Sequence, residues 1–170
     1  MSSVKCGTAL TALLAIAASG AIAQPVKDAK NHFQVGDVKG WDVKAVDNSA
    51  SDNERLVATA THSSGQARAA VIRVTYPNTP AWRKKKYYFD EVVRGLGAAT
   101  DGFVLVSRKR SKIGKVPVLD VRYRRKHESA PHVAVRFVFF RTFTLIASAS
   151  ANRAQRRAAS QLARSLLPKP

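Results

Sequence analysis

Catalysis or metal binding in this 170-residue chain would have to come from its histidines, carboxylates and hydroxyls, and these are few and poorly spaced for either. The histidines are His32, His62, His127 and His132. His127 and His132 stand five apart with Pro131 between them, whereas two ligands on one helical face stand four apart, so they read as a solvated loop pair. His62 precedes Ser63 and Ser64 in "THSSG". Adjacency in a turn does not make a triad, because the base must reach the hydroxyl through space and be oriented by a third group. The carboxylates of the C-terminal two-thirds are Asp90, Glu91, Asp101, Asp120 and Glu128. A metal-dependent nuclease needs two or more of them converging beside a basic groove, and only Asp120 is placed for that. Strand alternation puts it on the side of Arg122 and Arg124, with Arg136 on a neighbouring strand, which favours a structural salt bridge. Asp90 and Glu91 follow a lysine run and read as helix-face ion pairs. No P-loop or dinucleotide fingerprint is present. The expectation is therefore no catalytic residue, no metal ligand and no cofactor, with a hydrolase third among the function classes.

Cations are the stronger signal. The stretch "RKRSKIGKVPVLDVRYRRK" carries nine basic side chains, Arg108, Lys109, Arg110, Lys112, Lys115, Arg122, Arg124, Arg125 and Lys126, against Asp120 alone. A second run, Arg83, Lys84, Lys85 and Lys86, sits early in a predicted helix, where the dipole disfavours cations. The asymmetry is regional: Gln24 to Gln66 holds five basic and six acidic residues, whereas Ala67 to Pro170 holds 23 and five. Such clustering goes beyond solubility and points to an anionic partner. Trp82, Tyr87, Tyr88 and Tyr123 lie among these cations, as single-stranded nucleic acid or a sugar-phosphate polymer would exploit, although core packing accounts for them better.

The first residues bear on compartment. "MSSVKCGTALTALLAIAASGAIAQP" has one lysine, an apolar run from Gly7 to Ala18 and the triplet Ala21-Ile22-Ala23, the layout of a secretory signal peptide over residues 1–23. The run is too short to cross a bilayer, and no later segment approaches the ~20 apolar residues required. Cys6, the sole cysteine, would leave with the signal, so thiol catalysis, thiolate zinc and iron–sulfur chemistry are excluded from the exported chain. A periplasmic or secreted location follows. Residues 24–31 read as a flexible leader, and residues 32–170 as a single domain with enough chain for its own core.

The elements that must position the cations follow from periodicity. "GWDVKAV", "RLVATAT" and "ARAAVIRVTY" read as strands joined by short polar turns. "NTPAWRKKKYYFDEVVRGLG" reads as a helix with Thr79 as N-cap, Pro80 at N1 and Gly95 and Gly97 as its stop. "GFVLVSRKR" and "VPVLDVRYRRK" form a hairpin turning at Gly114. Its apolar end is sandwiched between layers, and its charged end is expected to project as a basic ribbon, with facing like charges costing a few tenths to ~1 kcal/mol per pair. "HVAVRFVFFRTFTLIASAS" is either one long bent strand or a hairpin turning near Arg141-Thr142, the hairpin being preferred. The closing "NRAQRRAASQLARSLL" reads as a helix with Asn152 as N-cap, an inner stripe of Ala154, Ala158, Leu162 and Leu166, and Arg153, Arg157 and Arg164 on another face; Pro168 ends it.

Doubly apolar central strands require cover on both sides. The fold class expected is α+β, an antiparallel sheet with helices on both faces, an α/β/α sandwich. This element order, with "VRFVFFRTFTLIASAS" running into a helix ending "LARSLL", resembles the Mog1/PsbP-like superfamily over roughly Phe33 to Leu167. The resemblance implies non-enzymatic docking to a partner and carries over no functional residue. The function expected is an exported, non-enzymatic binding protein that docks an acidic protein face or an anionic envelope lipid or glycan through the basic hairpin. The alternative is an extracellular binder of nucleic acid or acidic polysaccharide.

Overall fold

The computed structural model describes residues 26–28, 33–78, 81, 87–126 and 128–168; the signal-like segment and the run Arg83 to Lys86 lie outside them. The elements are β1 (Val26–Asp28), β2 (Phe33–Val35), β3 (Trp41–Ser51), β4 (Glu54–His62), β5 (Ala67–Thr75), α1 (Tyr88–Ala98), β6 (Phe103–Ile113), β7 (Val116–Arg125), β8 (His132–Phe139), β9 (Phe143–Ala151), α2 (Arg156–Ser165) and β10 (Leu166–Pro168). A seven-stranded antiparallel sheet has the order β3-β4-β5-β9-β8-β7-β6. The chain lays down β3 to β5 as a meander, inserts α1, and returns through β6 to β9 so that β9 pairs with β5. β3 and β6 are the edges.

Strand alternation sorts the apolar side chains into separate clusters. Val118, Val138, Leu145 and Ala147 pack with Ala159 and Leu162 of α2 and with Phe33, Val35 and Leu166. Leu119, Val121, Val135, Phe137 and Ile146 pack with Val93 and Leu96 of α1. Sequence neighbours such as Val118 and Leu119 thus serve different helices, which is why β7 and β8 are apolar on both alternations. β8 and β9 form the preferred hairpin, its turn closed by the Phe140 N–H donating to the Phe143 carbonyl at 2.9 Å.

Three expectations need correction. Val26–Asp28, assigned to a flexible leader, is a strand: it pairs with β2, which pairs on its other side with β10 in a small three-stranded sheet. The last helix is shorter than its periodicity suggests. Asn152 Oδ1 accepts the Gln155 N–H at 3.0 Å in the turn before it, and the helix starts at Arg156. It stops at Ser165 because Leu166 turns extended (φ −67, ψ 112) and pairs with Val35. The first helix starts at Tyr88; Thr79, Pro80 and Trp82 lie outside the described residues. Gly95 and Gly97 do not stop it. A Cβ on Gly97 would lie 3.2 Å from Phe103 Cδ1, so a bare Cα there is what lets the helix approach β6.

Candidate anion-binding site

β6 and β7 form a tight hairpin around Gly114, whose φ of 59 lies in the region that favours glycine. The register sets Lys112 opposite Pro117, Arg110 opposite Leu119, Lys109 opposite Asp120 and Arg108 opposite Val121, whereas Ser107 meets Arg122 and Val104 meets Arg124. The expected ribbon is corrected on two counts. The β6 cations lie near the turn and those of β7 near the opposite end, so they do not gather at one tip and no two face each other across the ladder. Nor does the hairpin project, because β7 is paired with β8 from Val118 to Arg124. The physical reason is the offset of the two charge blocks, increased by one residue through a bulge at Val106.

Alternation then divides the cations between two surfaces. Arg108 and Arg110 point toward α1, where both donate to Asp90 Oδ1, Arg110 at 2.8 Å. The Arg110 guanidinium also lies 5.4 Å from the centroid of the Phe89 ring. Asp90 therefore pairs across to β6 rather than along its own helix, and Glu91 pairs with Arg94. The hydrogen bond from Arg110, aided by the charge of Arg108 and opposed by partial burial, holds the Asp90 carboxyl below its usual range. Arg125 pairs with Glu128 at 2.7 Å. Tyr123 is 2% exposed, so it belongs to the core and offers no stacking face.

The other surface faces α2. Here Asp120 is held by Arg136, with Nε donating to Oδ1 at 2.7 Å and Nη2 to Oδ2 at 3.0 Å, the structural salt bridge expected from the sequence. Beside this pair, Ser107, Lys109, Asp120, Arg122, Ser160 and Arg164 line a shallow cleft of about 130 Å3 between the hairpin and the helix. Arg122 is anchored by its Nε donating to Ser107 Oγ at 2.7 Å. Toward the start of β8 the positive field continues. The pKa of His132, whose register partner is Arg124, is depressed by burial and then by Arg156, Arg124 and Arg153. Sequence reasoning missed Arg156 and Ser160 and did not connect Arg164 to the hairpin. The available signal was the spacing of four that sets Arg156, Ser160 and Arg164 along one side of α2.

The arrangement offers donors for an oxyanion: several guanidinium groups, an ammonium and the Ser107 hydroxyl. Among the described residues no group of three or more His, Cys, Asp and Glu side chains could hold a metal ion. His62, the other described histidine, bonds Ser64 Oγ through Nδ1 at 2.9 Å within its turn and packs edge-on to Trp41. His127 lies outside the described residues. No described helix is long and apolar enough to cross a membrane.

No family model matches the chain, and no curated protein matches its sequence. Among solved structures it is similar to cyanobacterial PsbP (CyanoP) from Synechocystis sp. PCC 6803, with a TM-score of 0.58 and 15% identity, over 92% of this chain and 99% of that one. It also matches LpqN, involved in cell envelope biogenesis of Mycobacterium tuberculosis, with a TM-score of 0.48 and 13% identity over 86% of this chain and 90% of that one. A Pseudomonas aeruginosa protein of unknown function, PA94, matches with a TM-score of 0.45 and 17% identity over 86% of this chain and 97% of that one. At such identities the likeness is one of fold, and it agrees with the element order read from the sequence: this chain has the PsbP-like fold.

Proposed function

We propose that the chain is an exported, non-enzymatic binding protein, a single-domain α/β/α sandwich whose β6, β7 and α2 cations dock an anionic partner in the cell envelope. The sandwich reading rests on the two clusters, each with its own helix, and export rests on the signal-like residues 1–23. The binding reading is carried by one observation: among the described residues, Lys109, Lys112, Lys115, Arg122, Arg124, Lys126, Arg156 and Arg164 have no carboxylate within ion-pair distance. A structural explanation covers part of this set, because cations on an edge strand discourage pairing with another chain, and Lys109 and Lys112 lie on the edge strand β6. It does not extend to Arg122 and Arg124 on β7, which is paired on both sides, or to the arginines of α2.

The test is binding of the purified protein to anionic phospholipid vesicles, an acidic polypeptide and a single-stranded oligonucleotide at matched salt. Two triple variants are compared, Arg122, Arg124 and Arg164 changed to Gln, and Lys27, Lys39 and Lys44 changed to Gln. A cation near an anionic lipid surface contributes about 1 kcal/mol, so the first variant should lose roughly a hundredfold in vesicle affinity and the second much less. Equal losses would reduce the effect to net charge and end the proposal. A preference for the acidic polypeptide would identify a protein partner, and one for the oligonucleotide would favour the nucleic-acid alternative.

A further inference from the structure

We infer that the cleft between α2 and the β6–β7 hairpin is a site for a single phosphomonoester group. This rests on the proposed anion-binding role and specifies its chemistry. The volume, about 130 Å3, is well under the ~300 Å3 at which pockets for whole small molecules begin. It suits one charged group entering end-on, with the rest of its molecule outside.

The lining selects the group. Arg122 and Lys109 approach from the strands and Arg164 from the helix. Because Arg122 is anchored through Nε, its two Nη atoms remain to donate, and among the described residues they have no partner. Ser107 Oγ accepts that bond, which leaves its own proton to donate. Ser160 differs: its hydroxyl donates to the Arg156 carbonyl at 3.0 Å, so it shapes the wall. Asp120, the one carboxylate present, has both oxygens taken up by Arg136. The C-terminal end of α2 would ordinarily repel an anion, but Arg136 Nη1 donates to the Arg164 and Leu166 carbonyls there.

Three cationic groups, two from the strands and one from the helix, match a phosphomonoester, which carries three terminal oxygens and close to two negative charges at neutral pH. A carboxylate has two coplanar oxygens and is satisfied by one guanidinium, as the Asp120–Arg136 pair itself shows. A diester offers one charge and two free oxygens. Beyond the cleft, Arg124, Arg153 and Arg156 extend the positive field along the outer part of such a ligand.

The experiment titrates the purified protein with inorganic phosphate, methyl phosphate, dimethyl phosphate and acetate at constant ionic strength, following backbone amide shifts by NMR. Saturable binding of the first two, centred on Ser107, Lys109, Arg122 and Arg164, is the expected result. Loss of one charge-assisted contact should weaken it roughly tenfold or more in Arg122→Gln and in Arg164→Gln, while Arg110→Gln, on the α1 side, should change it little. All three side chains are exposed, and Lys109→Gln provides a further variant. Phosphatidate vesicles that bind and are displaced by inorganic phosphate would identify a lipid headgroup source, and binding of free phosphate alone a soluble one. Equal responses to acetate, dimethyl phosphate and monoesters, or unchanged binding in the Arg122 and Arg164 variants, would overturn the site. If the vesicles, polypeptide or oligonucleotide still bound through these cations, only the phosphate assignment would fall; if the intact protein bound none of them, the anion-binding role would fall with it.

Discussion

Arg136 holds both carboxylate oxygens of Asp120, at 2.7 and 3.0 Å, and with its remaining nitrogen donates to the Arg164 and Leu166 carbonyls. One guanidinium, itself 8% exposed, therefore ties β7 and β8 to the point where α2 ends and β10 begins. It fixes the backbone from which Arg164 projects.

Removing one partner should be costly. Asp120→Ala leaves a nearly buried guanidinium without its counter-charge, and a loss of about 3–5 kcal/mol by urea denaturation is expected. Arg136→Met combined with Asp120→Leu should recover most of it, since a well-packed apolar pair often replaces a buried ion pair at little cost. The remaining deficit should come from the two carbonyls left without their donor. A double variant no more stable than Asp120→Ala would show that the pair is not the principal contributor.

The glycines of the α1–β6 junction should respond in opposite directions. A Cβ placed on Gly95 would meet nothing within 4 Å, so Gly95→Ala should gain up to ~1 kcal/mol from helix propensity. Gly102 has φ +61, and a Cβ there would lie 2.9 Å from the Lys126 backbone nitrogen. Gly102→Ala should therefore destabilise, by the left-handed penalty of roughly 1–2 kcal/mol plus that backbone clash. Thermal denaturation of the two variants should bracket the wild type.

The sheet was legible because its strands follow strict alternation and its central members are apolar on both sides. The Asp120–Arg136 pair was legible for the same reason, since strand parity sets which side chains share a face. What parity does not specify is register. The cation blocks of Arg108 to Lys115 and Arg122 to Lys126 look contiguous in sequence, yet a hairpin turning at Gly114 carries them to opposite ends of the ladder. The contribution of α2 was hidden for another reason: which side of a helix borders a cleft depends on how it docks, and Ala159 and Ala163 join Ala158, Leu162 and Leu166 of the expected stripe against the core, whereas Ala154 is exposed. Similarly, Leu166 reads as one more helical turn until Phe33 and Val35 offer it a strand to pair with.

Asp90 governs the cations on the α1 side. Its folded pKa lies below the ordinary 3.8, chiefly through the hydrogen bond from Arg110. The stabilisation it brings is present above the unfolded value and is lost as pH falls through the folded one, so Asp90→Asn should flatten the acid limb of the stability curve. The same variant releases Arg108 and Arg110 from their shared carboxylate. Binding to a broad anionic surface should then strengthen, whereas monoester binding in the α2 cleft should hardly change. Vesicle sedimentation beside the phosphate titration separates the two, and a large rise in monoester affinity would place the ligand on the wrong side of the sheet.

His132, beyond the cleft at the start of β8, supplies an internal probe. Burial and the neighbouring Arg156, Arg124 and Arg153 put its pKa below 6.5, so over the interval between the folded and unfolded values the unfolded chain binds more protons. Stability should be flat above the unfolded pKa and should decline as pH falls through the folded one, a decline that His132→Gln abolishes. An anion held by Arg122 and Arg164 would offset part of the positive field that disfavours the imidazolium. Saturating phosphate should therefore raise the His132 pKa, read from its imidazole proton shifts, and by linkage protonation of His132 should tighten the complex by the same factor. At a phosphate concentration that just saturates the wild type, Arg164→Gln should diminish the rise while leaving the ligand-free titration close to its original position. A His132 pKa that ignores phosphate in the wild type, or that rises as far in Arg164→Gln at the same phosphate concentration, would mean that the anion binds away from the cleft.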